Sequence, residues 1–191
     1  MKILENTVMD GSESSAPPIV PGTYPAHCTS FEVKEWNSSH VFNLKFTIAP
    51  EVGNMNITHM FYGDGKLEPV LASDGSKKQI SAGYMKGKEF RANGIWLTPN
   101  PAEGESWKNK KYTKWCESLG VPFPTDDEGN TKLGLIEESD VLGSPCLIKI
   151  AQEEYTNKEG EKKTAFKVSE IYPWAEGNKI DTDEIGVDVP F

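Results

Sequence analysis

Hydrophobic and polar residues alternate along several stretches of this chain, which predicts a protein built mainly from β-strands. The clearest stretch is His40–Ile48, in which every second residue from position 42 onward is apolar. A strand with one buried face has this pattern because successive side chains point to opposite sides of the sheet. Further strands are predicted at 24–33, 55–61, 146–150 and 166–172.

The alternation changes phase inside the first predicted strand. Tyr24, Ala26 and Cys28 follow one phase, whereas Phe31 and Val33 follow the opposite one. A bulge produces such a change, because one extra residue in a strand re-aims the side chains that come after it. We therefore expect the first strand to bend, as strands do at the corner of a barrel.

One segment has the clear periodicity of a helix, and Leu133 to Leu142 is a weaker helical candidate. Tyr112, Trp115, Cys116 and Leu119 recur at the spacing of one helix face, and Gly120 follows as a stop signal. Such a stripe is usually buried. We therefore expect these four side chains to pack in the core.

The predicted order of elements is strand, strand, strand, helix, strand, strand. This is the order of the OB-fold, a five-stranded barrel that binds oligonucleotides with the face of strands 2 and 3 and with the 1–2 and 4–5 loops. The expected fold class is therefore mainly β, a five-stranded OB-fold barrel with a helix between strands 3 and 4. The two loops would lie at 35–40 and 155–163.

Irregular regions divide the chain into parts. Residues 1–20 are polar and broken by Pro, which predicts a flexible leader, and the acidic composition of residues 176–191 predicts a disordered tail. The OB-fold domain is expected at 21–175. It contains an insertion at about 63–105, in which Asp74-Gly75 is a turn signal for an added hairpin. An insertion of this length in a compact domain usually has a function.

The composition is typical of a globular protein. Of 191 residues, 37% are hydrophobic, enough for one core, and no apolar run is long enough to cross a bilayer. No signal peptide is recognisable, so a cytoplasmic protein is expected, in the host cell if the protein is viral. Three cysteines and three histidines lack the spacing of disulfide or zinc frameworks. We expect buried thiols and neither a metal nor a cofactor.

The net charge of −9 at first argues against a nucleic-acid partner, because polyanions are normally bound by an excess of Lys and Arg. The charges are, however, unevenly distributed. Residues 176–191 carry a net charge of −4 and residues 1–20 a net charge of −2, whereas the stretch from Lys77 to Lys114 has nine bases and three acids. Much of the acidity therefore lies at the two ends, and the middle of the chain is basic.

Aromatic residues accompany these cations, a mixture that is typical of surfaces that bind single-stranded DNA. Cations contact the phosphates, and exposed rings stack on unpaired bases. The alternative is that Phe90 and Trp96 are ordinary barrel residues and that the lysines form a solvated surface. The candidate nucleic-acid-binding residues, which include positions in strand 2 and the two loops, are Lys34, Trp36, Lys45, Lys77, Lys78, Tyr84, Lys86, Lys88, Phe90, Arg91, Trp96, Lys158, Lys162 and Lys163.

The acidic tail ends in an aromatic residue. A ring beside a free carboxylate can be captured by an apolar pocket with a basic rim, which predicts a partner-binding segment. Negative charge tethered to a cationic groove would also compete with DNA. The alternative is a tail that only increases solubility. The candidate partner-binding residues are Asp181, Asp183, Glu184, Asp188, Val189, Pro190 and Phe191.

Several short motifs resemble bacteriophage OB-fold single-stranded DNA-binding proteins. They are Val20-Pro21-Gly22-Thr23-Tyr24, the strand His40–Ile48, the helix that ends at Leu119-Gly120, and Asp140-Val141-Leu142-Gly143-Ser144-Pro145. The ending Val189-Pro190-Phe191 is similar to the acidic tip of bacterial single-stranded DNA-binding proteins, which recruits replication and repair enzymes. The resemblance implies non-sequence-specific binding and protection of single strands in phage DNA replication or recombination, with replication or recombination proteins as partners of the tail.

Other functions stay open at this point. A protein-interaction or virion structural module without DNA binding would explain the tail and the acidity. A nuclease that uses dispersed carboxylates, such as Asp126-Asp127 and Glu153-Glu154, is a second alternative. The sequence contains no nucleophile elbow, P-loop, HExxH or GxGxxG motif, so we do not expect an enzyme.

Overall fold

The computed structural model of the chain describes residues 17–63, 66–102 and 105–181, apart from the side chains of Ser106 and Lys108. Strands make up most of its regular structure, which confirms the prediction of a mainly β fold. In chain order the strands are β1 (Gly22–Trp36), β2 (Ser39–Ile48), β3 (Asn56–Thr58), β4 (Met60–Gly63), β5 (Lys66–Pro69), β6 (Gln79–Ser81), β7 (Glu89–Leu97), β8 (Pro145–Thr156) and β9 (Lys162–Pro173).

A large antiparallel sheet has the strand order β7-β2-β1-β8-β9. Its central strand, β1, pairs on both sides, so that Ala26 lies opposite Ile48 of β2 and Cys146 of β8. The register between β1 and β2 shifts between Cys28 and Ser30. The bulge predicted from the change of alternation in the first strand is therefore confirmed.

A two-residue turn joins β1 to β2. Asn37 and Ser38 both have positive φ, 46° and 61°, as the two central residues of a type I′ turn require. The turn replaces the longer loop that was expected at 35–40, because the two strands continue their pairing as far as Trp36 and Ser39. Side chains near this turn are therefore carried by paired strands.

The third strand of the large sheet differs from the prediction. Segment 55–61 was expected to pair with β2, but β7 takes that place, with Phe90 opposite Phe46 and Ile95 opposite Phe42. A bulge in β7 explains the error, because the buried residues Phe90 and Ala92 are followed by Ile95 and Leu97 in the opposite phase. The segment between β2 and β7 is consequently 49–88, whereas the insertion expected from the sequence is at about 63–105.

The short strands of the segment 49–88 form two small sheets, in which β3 pairs with β6 and β4 pairs with β5. The turn predicted at Asp74-Gly75 is confirmed, since Gly75 has a φ of 82° and the Asp74 carboxylate accepts hydrogen bonds from the backbone and side chain of Ser76. Two 3-10 turns, Pro50–Asn54 and Ala82–Met85, connect these strands to the large sheet. We call residues 56–81 the arm.

Helix α1 (Lys110–Ser118) follows the 3-10 turn Ser106–Asn109, and a second, four-residue helix, α2, is Glu138–Val141. The predicted apolar stripe is confirmed, because Tyr112, Trp115, Cys116 and Leu119 are all buried. The Tyr112 ring stacks on Phe42 with centroids 5.0 Å apart. Helix α1 contacts β7 and β9, the two edge strands of the sheet, and these strands also contact each other.

The core contains the three cysteines, which are free thiols as the sequence predicted. Burial raises the pKa of Cys28 and of Cys116 to about 12. These thiols therefore stay protonated at neutral pH. Within the described ranges no helix has both the length and the apolar character needed to cross a membrane.

The chain beyond β9 packs back onto the sheet as far as the described residues extend. The Asn178 carbonyl lies 3.1 Å from Nε2 of His27, whose ring packs against Trp174. The backbone N–H of Ile180 donates to the carbonyl of Gly143 at 3.1 Å. The first residues of the predicted acidic tail thus lie against the domain.

Candidate nucleic-acid interface

The side chains of β2 divide into two sets because the strand is buried on one side. Phe42, Leu44, Phe46 and Ile48 point into the core, so the residues between them point outward. These outward positions and the positions beside them on β1 and β7 form the surface that we call the outer face. Its members are Ser30, Glu32, Lys34, Trp36, Val41, Asn43, Lys45, Glu89, Arg91, Asn93 and Trp96.

The strand register arranges the outer face in rows. Lys34 on β1 lies opposite Val41 on β2, which in turn lies opposite Trp96 on β7. Further along β2, Lys45 lies opposite Arg91. Neighbouring strands are about 4.8 Å apart, so one row across three strands spans about 10 Å. Cations and an aromatic ring from distant parts of the sequence therefore share one surface.

A groove of about 540 Å³ lies on the outer face. Lys34 lines it toward the β1–β2 turn, and Lys45 and Arg91 line it toward the other end. Asn43 and Asn93 lie between these cations. The groove can therefore offer positive charge to phosphates and amide groups to the edges of bases.

Two tryptophans of the outer face have exposed rings. Trp36 is 64% exposed and Trp96 is 42% exposed. Neither ring is needed to fill the core, so both can stack on unpaired bases. This agrees with the role that the sequence predicted for them, although the stacking itself stays a prediction.

Both lysines of the outer face form ion pairs. Lys34 Nζ lies 3.0 Å from Glu32 Oε1, and Lys45 Nζ lies 2.8 Å from Glu89 Oε1. Exposed pairs of this kind contribute only about 0–1 kcal/mol, and an ammonium group has three N–H donors, so each lysine can also contact a phosphate. Among the residues that the structure describes, Arg91 has no ion-pair partner.

The hairpin of β8 and β9 carries three further predicted cations, Lys158, Lys162 and Lys163, all of them exposed. Acidic residues accompany these lysines. Lys163 pairs with Glu161 at 3.2 Å. In the turn, the side-chain amide of Asn157 donates hydrogen bonds to the carboxylates of Glu159 and Glu161. The tip of this hairpin is therefore close to neutral.

Four further predicted lysines do not line the groove of the outer face. Lys77 and Lys78 are exposed on the arm, where the backbone N–H of Lys78 donates to the carbonyl of Val70. Lys86 and Lys88 lie in the turn that leads into β7, at the opposite end of that strand from Trp96. The structure does not bring these four ammonium groups together with the groove.

Two of the predicted stacking residues have other roles. Phe90 is only 4% exposed and belongs to the core, so it cannot stack on a base. It is buried because it lies on the inner phase of β7, opposite Phe46. Tyr84 is half-buried, and its hydroxyl donates to the carbonyl of Pro18 at 2.9 Å. Tyr84 thus anchors the first described residues to the domain.

Compared with known proteins, the chain matches no family model, and no curated protein is significantly similar to it in sequence. The geometry of the outer face is therefore the basis for assigning a function.

The outer face also contains residues that sequence reasoning missed. Ser30, Glu32, Asn43 and Asn93 line the groove but were not among the predicted site residues. For Asn43 a signal existed, because it occupies the same outward phase of β2 as Lys45. Asn93 gave no such signal, since the bulge in β7 hides which of its residues point outward.

A larger groove, of about 920 Å³, lies between the end of β7, helix α1 and residues 129–135. None of the predicted site residues lines it. Asn109 forms two hydrogen bonds with the backbone of Thr98 beside this groove, which fixes the start of α1 against the end of β7. Among the described residues, no group of three or more His, Cys, Asp or Glu side chains is placed to hold a metal ion.

The predicted partner-binding segment is described only in part. Asp181 is the last described residue, and its side chain is exposed. The remaining predicted positions lie outside the described residues: Asp183, Glu184, Asp188, Val189, Pro190 and Phe191.

Proposed function

We propose that this chain is a single-stranded DNA-binding protein built on a closed five-stranded OB-fold barrel. The strands β1, β2, β7, β8 and β9 supply the five strands in chain order, and α1 lies between the third and the fourth. Contact between the edge strands β7 and β9, both of them covered by α1, supports closure of the sheet into a barrel.

The observation that carries the proposal is the composition of the outer face. Three neighbouring strands present Lys34, Lys45 and Arg91 beside the exposed rings of Trp36 and Trp96. An OB-fold binds oligonucleotides on the surface of its second and third strands, which here are β2 and β7.

Unpaired bases are the expected ligand because a ring can stack only on a base whose face is accessible. Stacking on aromatic side chains contributes about 1–3 kcal/mol per base and tolerates any sequence. The cations add phosphate contacts whose strength falls with added salt. The binding proposed is therefore broadly non-specific, and it suits coating and protection of exposed strands in the cytoplasm during phage replication or recombination.

The acidic tail is proposed to recruit replication or recombination proteins and to compete with DNA for the outer face. Support for this role comes from its sequence, which combines a net charge of −4 over residues 176–191 with a terminal Pro190-Phe191. Deletion of residues 182–191 should leave DNA affinity equal or higher and abolish partner binding. Loss of DNA binding by the truncated chain would contradict this role.

Tryptophan fluorescence provides the direct test of DNA binding. A mixed-sequence single-stranded oligonucleotide should quench the fluorescence of Trp36 and Trp96, and the affinity should fall steeply as NaCl is added. The same sequence as a duplex should bind more weakly, because its bases are not free to stack. Absent binding, or binding that salt does not change, would favour the protein-interaction alternative. Cleavage of the oligonucleotide with Mg²⁺ present would favour a nuclease.

A further inference from the structure

The centre of the groove differs chemically from its two ends. Cations lie at both ends, but Glu32 lies between them, on the same outward phase of β1 as Ser30 and Lys34. Asn43, opposite Glu32 on β2, has the same central position. A groove for a polyanion therefore has a carboxylate in its middle.

This carboxylate is held in a fixed orientation. Glu32 Oε1 lies 3.0 Å from Lys34 Nζ, and Glu32 Oε2 accepts a hydrogen bond from the Asn43 amide at 3.1 Å. The other end of that amide, Asn43 Oδ1, accepts from the backbone N–H of Gly94 at 3.2 Å. Residues of three strands thus fix Glu32, although its side chain remains 53% exposed.

Glu32 also stays ionised at neutral pH. Hydrogen bonds from Lys34 and then from Asn43 lower its pKa, and the charges of Lys34 and Arg91 act in the same direction. An ionised carboxylate repels phosphate. The DNA backbone will therefore avoid the centre of the groove and lie along the cations, which leaves the centre to a base.

A carboxylate accepts hydrogen bonds but cannot donate them. Cytosine offers the N4 amino group as a donor, whereas thymine has the O4 carbonyl at the same position, and two acceptors repel each other. Thymine also differs from cytosine by its C5-methyl group and by an N3–H donor, where cytosine N3 is an acceptor. Glu32 can therefore distinguish the two bases where its carboxylate contacts the substituent at C4 of the ring.

Building on the proposed function, we propose that Glu32 is a specificity-determining residue that accepts a hydrogen bond from the exocyclic amino group of a base in the groove. The protein then binds every sequence but prefers a strand with cytosine over one with thymine at this position. Asn43 acts as a positioning residue, because it touches the carboxylate and fixes its direction.

The test compares the affinities of the full chain for oligo-dC and oligo-dT of equal length. The wild-type protein should bind oligo-dC about tenfold more tightly, since a hydrogen bond to a charged acceptor changes an affinity by about this factor or more. In Glu32→Gln the ratio should fall to about one, and affinity for oligo-dT should rise because a negative charge is lost.

Glu89→Gln is the matched control, because Glu89 also pairs with a lysine of the outer face, Lys45. Its loss should raise the affinity for both oligonucleotides by the same factor and leave their ratio unchanged. Thermal unfolding checks that both variants are folded, which is expected because both residues are exposed.

The outcomes distinguish a failure of the role proposed for Glu32 from a failure of single-stranded DNA binding itself. Equal binding of oligo-dC and oligo-dT by the wild type, or an unchanged ratio in Glu32→Gln, overturns the role of Glu32 and leaves single-stranded DNA binding intact. Failure of the wild type to bind any single strand, including a mixed sequence, overturns both. A ratio that falls equally in Glu89→Gln shows a general charge effect and also overturns the role of Glu32.

Discussion

The outer face and the β8–β9 hairpin are both lysine-bearing antiparallel strands, but they differ in what surrounds their cations. On the hairpin, Lys163 pairs with Glu161 and Lys167 pairs with Glu153. The exposed aromatic residue of strands β8 and β9 is Tyr155. The outer face also has two ion pairs. It adds two exposed indole rings and an arginine, Arg91, for which the structure describes no ion-pair partner.

The base of the hairpin makes this difference clearer. Glu170 on β9 accepts hydrogen bonds from Lys114, Lys149 and the hydroxyl of Tyr172, at 3.3, 3.1 and 2.7 Å. These groups join α1 to β8 and β9, so their charges are committed to the fold. The number of lysines in a segment therefore does not identify a nucleic-acid surface. The neighbours of each lysine decide whether its charge is available.

The largest expected effect is on stability, and it comes from two substitutions that test which residues of β7 belong to the outer face. Phe90→Ala removes a buried ring from the core and should lower the free energy of unfolding by about 3–5 kcal/mol. Arg91→Ala, at the adjacent outward position, should change it by no more than about 0.5 kcal/mol. Urea unfolding measures both values. Similar stability of the two variants would show that the assignment of inner and outer phases is wrong.

The next effect tests the rings that distinguish the two regions. Replacing Trp36 and Trp96 together by Ala should weaken binding of a single-stranded oligonucleotide by about 1–3 kcal/mol for each ring that stacks on a base. Tyr155→Ala on the hairpin is the control and should change affinity little. Fluorescence anisotropy of a labelled oligonucleotide measures both. A larger loss from Tyr155→Ala would place the binding surface on the hairpin.

A smaller effect tests the cations. Arg91→Gln should weaken binding by about 1 kcal/mol and reduce the slope of log affinity against log salt by about one, because one phosphate contact is lost. Lys163→Gln, which removes a lysine paired with Glu161, should change the slope less. A titration with NaCl measures the slopes. If Lys163→Gln reduced the slope as much as Arg91→Gln, both regions would contact the phosphates.

The smallest expected effect concerns pH and the base of the hairpin. Hydrogen bonds from Tyr172, Lys149 and Lys114 lower the pKa of Glu170 to about 2. Because this pKa is lower than in the unfolded chain, the stabilisation is present above pH about 4.5 and is lost as the pH falls toward about 2. Glu170→Gln should therefore lower Tm slightly at neutral pH, and the difference should vanish in acid.

The control for this pH series is Glu154→Gln, an exposed position on β8 for which the structure describes no ion pair. Its Tm should follow that of the wild type throughout. A constant Tm difference between Glu170→Gln and the wild type from neutral to acidic pH would show that the lowered pKa of Glu170 does not contribute to stability.

Much of the architecture was predictable because it depends on local periodicity. The alternation in His40–Ile48, the buried stripe of α1 and the bulge after Cys28 are each confirmed. Each of these patterns is set by residues a few positions apart, since a strand repeats every two residues and a helix every 3.6.

The third strand was missed for a local reason as well. In β7 the buried residues change from even to odd positions at the bulge around Gly94, so neither half is long enough to be recognised as a strand. Segment 55–61 alternates more regularly, but its apolar side chains are only partly buried in the small sheets. The same error led to the assignment of Phe90 as a stacking residue.

By itself, the sequence determined a mainly β protein with a buried amphipathic helix, buried thiols, a basic middle and acidic ends. Only the tertiary structure decided that Lys34, Asn43 and Trp96 share one surface, and that Lys77 and Lys78 lie elsewhere, on the arm. The physical reason is that side chains become neighbours across a sheet through strand order and register. Strand order and register depend on which strands pair, and this pairing is determined jointly by residues that are far apart in the chain.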